Sequence, residues 1–268
     1  MGMRALVIAS GRDTCQHIGK PNRRKDSNVQ CRAGQWVQRR RLPCPHGRFS
    51  VGAVPLCATG AALMDDTIQI GVDGVRRCPW GLAAPEYQSY HDREWGRPVG
   101  SDEKVFEKLC LEGFQSGLSW LTILRRRDGF RRAFAGFDPS VVARFTDTDV
   151  ARLLEDSAIV RHRGKILATI GNARAALRLW EQGMSLAGLL WSYEAPAGDP
   201  PLTVAALPAS TPESEAFSRE LGRRGFRFVG PTIVYAAMQS LGVVNDHLDG
   251  CRFWVVCDDE RRAFSRPG

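Results

Sequence analysis

At 268 residues, with 43% apolar and 9% aromatic side chains, the chain is long enough to bury a sizeable core as one large domain or two small ones. No stretch approaches the roughly eighteen consecutive apolar residues of a membrane span, so no membrane partner is expected. The net charge of +8 suggests nucleic acid, but residues 1–64 carry 11 Lys/Arg against 2 Asp/Glu, and the remaining 204 carry 26 against 27. The global charge therefore describes the amino-terminal segment, and the rest of the chain could meet DNA only through a local patch.

Residues 1–64 show neither helical nor alternating periodicity and set Arg23-Arg24 and Arg39-Arg40-Arg41 among Gly and Pro breakers. Such a segment is expected to be a disordered basic extension, because it cannot bury enough apolar surface to offset chain entropy. A DNA-binding arm is the functional alternative. Met64 stands directly before Asp65-Asp66, where the composition changes, and reads as a possible true start of the functional polypeptide. The opening Met3–Ser10 is too short in its apolar part for a signal peptide, which makes the cytoplasm the expected location. Cys15, Cys31, Cys44 and Cys57, with His17 and His46, form no ligand pattern.

Residues 65–75 read as a linker, 76–257 as the folded domain and 258–268 as a flexible tail. Ser101-Asp102-Glu103-Lys104 opens a helix with an N-cap residue and acids in its first turn, and Val105, Phe106, Leu109, Leu111 and Phe114 follow at buried-helix spacing. Trp120 to Phe134 reads as a second helix, Asp138-Pro139-Ser140 starts a third and Thr146-Asp147 a fourth. Arg163 to Gln182 is a long helix, Thr211-Pro212 places proline in a first turn, and Thr232 to Leu241 is a last apolar helix. No convincing series of strands appears, polar loops surround Pro196–Pro201, and the expected fold class is all-α. Cys110 falls in an apolar helix as a core thiol, and Cys257 lies in an apolar stretch near the end.

Twelve residues separate Cys78 from His91, and far downstream His247 and Cys251 lie four apart, on one face if that segment is helical. Two thiolates and two imidazoles suit tetrahedral zinc, and four protein ligands leave no open position, so such a metal is structural. Unrelated core and surface residues are the competing reading of the same spacing.

Several longer motifs narrow the choice. Arg77-Cys78-Pro79-Trp80 and Tyr90-His91-Asp92-Arg93-Glu94-Trp95-Gly96 resemble the opening of the 3-methyladenine DNA glycosylase I family. Leu111-Glu112-Gly113, Ser116-Gly117-Leu118-Ser119-Trp120, Arg161-His162-Arg163-Gly164-Lys165-Ile166, Gly171-Asn172-Ala173-Arg174, Gly225 to Thr232 and Val244-Asn245-Asp246-His247 follow in the family's order. The resemblance covers about residues 76–251. It implies a helix-hairpin-helix glycosylase fold and one structural zinc on Cys78, His91, His247 and Cys251. It also implies monofunctional base-excision hydrolysis that releases 3-methyladenine from double-stranded, alkylated DNA, by a monomer.

A glycosylase extrudes its target nucleotide into a pocket with aromatic walls and a few polar groups. The resemblance makes Trp120 the stacking residue, Tyr90 a second contact and Glu112 the acceptor at the adenine edge, with Trp80, Tyr87 and Trp95 as further aromatics. An apolar helix around Glu112 demands a reason for burying a carboxylate, although a surface position fits the periodicity as well. Methylation at N3 leaves the adenine cationic and its glycosidic bond weak, so binding the cation does much of the catalysis. The family lacks the usual water-activating aspartate, and Asp92, Asp102 and Asp246 are not assigned as general base. Residues 159–166 resemble the phosphate-holding hairpin, with Arg161, Arg163, Gly164 and Lys165 as DNA contacts, though not in the usual Leu-Pro-Gly-Val-Gly form. Gly117-Leu118 resembles a loop that fills the gap left by the extruded nucleotide. Lys165 could serve a lyase only if its amine reached the sugar.

Overall fold

The computed structural model describes residues 66–268; the segment 1–64 expected to be disordered, and Met64 with it, lie outside the described residues. Capping chemistry opens most of the helices. Helix α1 (Pro85–Arg93) starts on a proline, and α2 (Asp102–Gln115) on Ser101, whose hydroxyl accepts from the Lys104 amide. Ser119 does the same for α3 (Trp120–Ala133), and Asp138 for α4 (Pro139–Val142). Before α5 (Asp147–Glu155) the Asp149 carboxylate reaches back to the Thr146 amide at 2.9 Å. The His162 imidazole caps α6 (Arg163–Glu181), Ser185 caps α7 (Leu186–Trp191) and Thr211 caps α8 (Pro212–Arg223). Helix α9 (Pro231–Ser240) begins on proline, and α10 (Arg252–Ala263) begins directly after Cys251.

Helix α2 is the central element. Ten of its fourteen residues are buried, so beyond its exposed first turn it has little solvent face, and it packs against α3, α6, α7 and α9. Its apolar side meets a cluster of phenylalanines, with Phe114 4.6 Å from Phe130 between ring centroids. The burial of α2 beyond its first turn is what carries Lys108 and Glu112 into the interior.

The described residues are mostly helical, as expected, with three departures. The expected linker 65–75 is, from Asp66 on, part of a hairpin in which β1 (Gln69–Ile70) pairs antiparallel with β2 (Arg76–Arg77). Arg77 secures it by taking Asp73 and Asp92 at once, at 2.7 and 2.8 Å. The expected flexible tail 258–268 begins inside α10, which runs to Ala263. Arg261 is buried and bonds Glu194 and the Val243 carbonyl, and Phe264 packs on Trp191 at 4.8 Å. Helices α1, α7 and α10 were not among the predicted elements. No helix among the described residues is long and apolar enough to cross a membrane.

Candidate metal centre and candidate active site

Cys78, His91, His247 and Cys251 are all buried, and their ligand atoms lie within 4.8 Å of one another. Cys78 follows β2, His91 lies on α1, and His247 and Cys251 flank the turn before α10. That last pair is not on a helix: the Cys251 amide closes a turn on the Leu248 carbonyl at 2.9 Å, which folds His247 and Cys251 to the same side. Cys78 Sγ is 3.7 Å from His247 Nδ1, and Cys251 Sγ is 3.6 Å from both His247 Nδ1 and His91 Nε2. With metal–sulfur bonds of about 2.3 Å and metal–nitrogen bonds of about 2.0–2.1 Å, the sulfur-to-nitrogen edge of a tetrahedron is about 3.6 Å. The donor set therefore fits a tetrahedral ion with no position left for substrate.

The surroundings orient these donors. His91 Nδ1 is 2.8 Å from Asp92, the carboxylate that also holds Arg77, and His247 Nε2 faces the Trp95 carbonyl at 3.3 Å. A hydrogen bond from Cys78, aided by the two imidazoles, draws the Cys251 thiol down to about 2 against the effect of its burial, whereas burial pushes Cys78 up. Gly96 makes the close approach possible: its φ is +82°, and a Cβ there would come within 3.1 Å of His247. Asp246 does not touch a ligand; it accepts from Tyr235 and from Gln239 at 2.6 Å, tying the ligand turn to α9.

The five aromatics expected at the base divide into two groups. Trp80 and Trp95 pack on the Cys/His cluster, Trp80 5.0 Å from His91 and Trp95 4.6 Å from His247. Tyr87 turns its hydroxyl to the Leu121 amide at 2.9 Å and fixes α1 to the start of α3. None of the three is among the residues that line the cavity beside α2. Tyr90 and Trp120 do line it, together with Lys108, Leu111, Glu94 and Arg127, around about 390 Å³.

Tyr90 and Trp120 face each other at 5.5 Å with planes 45° apart. Beside the pair stands the ammonium of Lys108: Nζ lies 3.6 Å from the Trp120 ring centroid, 2.6 Å from the Tyr90 hydroxyl and 2.8 Å from Glu112 Oε1. The arrangement is an aromatic box with a carboxylate, and it holds a cation. Burial lowers the Lys108 pKa and Glu112 pulls it back up, while burial holds Tyr90 in its protonated form. The Trp120 indole N–H is buried without an acceptor among the described residues. Lys108 is the participant that sequence reasoning missed; its spacing four before Glu112 was the available signal.

The methyladenine glycosylase family model matches residues 80–254. The chain belongs to this family. Over 179 residues it is 47% identical to DNA-3-methyladenine glycosylase 1 of Escherichia coli (strain K12), which covers 66% of this chain and 96% of the relative. A crystal structure of 3-methyladenine DNA glycosylase I superposes with a TM-score of 0.64 at 47% identity, covering 66% of this chain and 98% of the other. A variant of a 3-methyladenine DNA glycosylase I solved in complex with 3-methyladenine matches at 32% identity and a TM-score of 0.62, covering 65% and 94%.

In this family member the expected DNA contacts fall on two adjoining elements. Leu118 is 37% exposed on a tight turn closed by its own amide on the Gln115 carbonyl, and Gly117 supplies the positive φ of +82° that the turn requires. Arg161, Arg163 and Gly164 are exposed at the start of α6. Lys165 is not a free cation: its ammonium donates to the Phe114 and Ser116 carbonyls at 2.8 and 2.6 Å. It caps the carboxyl end of α2, where unpaired carbonyls and the helix dipole favour a cation. The same bonds place the Leu118 turn beside the start of α6. Cys110 and Cys257 are buried thiols whose pKa burial raises, Cys257 to about 12.

Proposed function

We propose that this chain is a DNA-3-methyladenine glycosylase that excises 3-methyladenine from alkylated double-stranded DNA. The observation that carries the reading is the box of Tyr90, Trp120 and Glu112, which is already built around a positive charge. Adenine brings the flat ring that the box selects, and methylation at N3 makes that ring a cation while it is joined to its sugar. Trp120 and Tyr90 bind the ring faces, each such contact contributing about 0.5–2 kcal/mol, and Glu112 accepts a charge-assisted hydrogen bond from the adenine edge. As the glycosidic bond lengthens, positive charge passes from base to sugar, and water completes the hydrolysis at C1′.

The helix-hairpin-helix assignment belongs to the segment between α5 and α6, where the first amides of α6 lie beside Arg161 and Arg163, a suitable seat for a phosphate. Cys78, His91, His247 and Cys251 hold one zinc, whose closed coordination supplies cross-linking rather than chemistry. We place the enzyme in the cytoplasm, acting as a monomer.

The test is release of free base from methylated duplex DNA, separated by chromatography. The wild-type chain is expected to release 3-methyladenine. Glu112→Gln, which keeps the shape and loses the charge, is expected to lower the rate by about 10- to 100-fold with zinc content unchanged, the equivalent of a charged hydrogen bond worth about 1.5–3 kcal/mol. Absence of 3-methyladenine among the wild-type products overturns the assignment.

A further inference from the structure

The groups that hold Lys108 are the groups assigned above to the base. Its ammonium takes Glu112 Oε1, the Tyr90 hydroxyl and one face of Trp120 together. Lys108 lines the cavity whereas Glu112 does not, so the ammonium stands between the carboxylate and any entering ring. It is 8% exposed on the buried part of its helix, a position where an ammonium persists only while paired. A base and this ammonium cannot share the box: they would meet the same oxygen and the same ring face. Two further carboxylates line the cavity, Glu94 held by Arg127 and Glu107 held by Arg131, and a displaced ammonium would have to join one of these pairs.

We propose that Lys108 is a resident cation that occupies the base site when it is empty and must swing out for a base to enter, so that it sets the affinity threshold of the pocket. The inference rests on the functional reading above. Every base meets the same displacement cost, which lowers all affinities by a common factor. A ring that gains strongly from Trp120 and Glu112, as a methylated adenine does, still binds, whereas an unmodified adenine falls below the threshold. Lys108 thereby sets how strongly any base must bind before the site fills, without touching the reacting bond.

Titration calorimetry with 3-methyladenine and with adenine tests this in three proteins: wild type, Lys108→Met and Lys104→Met. Methionine keeps the unbranched volume of Lys108 without its charge. Lys104 lines the same cavity but does not hold the box, so it controls for general loss of positive charge. Lys108→Met is expected to bind both bases at least about tenfold more tightly than wild type, as removal of a cation–π contact and an ion pair allows, and Lys104→Met to bind as wild type does. Unchanged or weaker binding by Lys108→Met overturns the proposal, as does an equal gain in both variants. A crystal structure of the wild-type chain with 3-methyladenine needs no variant. It is expected to show the ring on Trp120 with Lys108 turned away, and Lys108 still seated on Glu112 overturns the proposal. Wild-type release of 3-methyladenine from DNA separates the two levels: if it fails, the function is wrong; if it succeeds without a gain in Lys108→Met, only the resident cation is wrong.

Discussion

Asp102 stands at the first position of α2 but directs its carboxylate to another helix. It accepts from the Leu186 and Ala187 amides at 3.0 and 2.7 Å, from Ser185 at 2.7 Å, and from the Trp180 indole. Burial alone would raise its pKa, but these hydrogen bonds outweigh it and hold the carboxyl below its ordinary value. A depressed folded pKa means that the stabilisation is complete above the unfolded value of about 3.9 and is lost as pH falls through the folded one. Asp102→Asn should therefore cost about 1.5–3 kcal/mol near neutral pH, and the deficit should shrink below about pH 3. Urea unfolding of both proteins across this range checks it, and a deficit independent of pH contradicts it. The same scale shows where sequence reasoning ended. Glu112 was recognisable from its motif, but its pairing with Lys108 was not, since an acid and a base four apart usually mark an exposed helical face. Trp80, Tyr87 and Trp95 look like pocket residues in the sequence because they cluster with Tyr90. Which side of α1 each one reaches is settled only by packing.

At the scale of elements, the helices that announced themselves did so through their caps. Ser101, Asp138, Thr146 and Thr211 mark starts that local chemistry alone determines. Helix α10 carried no such signal: Asp258-Asp259-Glu260-Arg261-Arg262 has the composition of a solvated end, and only Arg261 and Cys257, buried against other segments, reveal a docked helix. The hairpin over β1 and β2 was hidden likewise, because strands of two residues have no periodicity to read. The Leu118 turn and the start of α6 are held together by Lys165. Leu118→Ala should leave thermal stability nearly unchanged, since the side chain is partly exposed already. It should weaken binding to a duplex containing an abasic-site analogue by about tenfold, the loss expected when part of a leucine's burial is removed. Fluorescence anisotropy measures this, and equal affinities for the two proteins remove the wedge role.

At the scale of the molecule, the Cys/His cluster joins the segment around β2 and α1 to the turn before α10, while the aromatic box lies between α1, α2 and α3. Trp80 and Trp95 fill the space behind Tyr90, so the cross-link and the pocket share a wall. Stripping the metal with a chelator should accordingly raise amide exchange in residues 66–80 and 244–264 first, with α5 and α6 still protected. Base release should fall as α1 loosens and Tyr90 loses its backing. Mass-spectrometric hydrogen exchange follows the loss segment by segment, and uniform deprotection contradicts a local staple. The sequence motifs pointed to the four donors, but not to this shared wall, which arises from the way α1 presents His91 to one side and Tyr90 to the other.

The placement of the donors also imposes an order of events on synthesis. Cys78 and His91 leave the ribosome before any of the helices that form the cavity wall opposite α1, and Cys251 leaves after α2 to α9 are complete. The four side chains can meet only when the last helix is being made, across a loop whose closure grows costlier only slowly with its length. A polypeptide cut short anywhere before residue 251 keeps an open set of donors. Closure of the cluster is the molecule's own mark that its translation has reached the end of the domain.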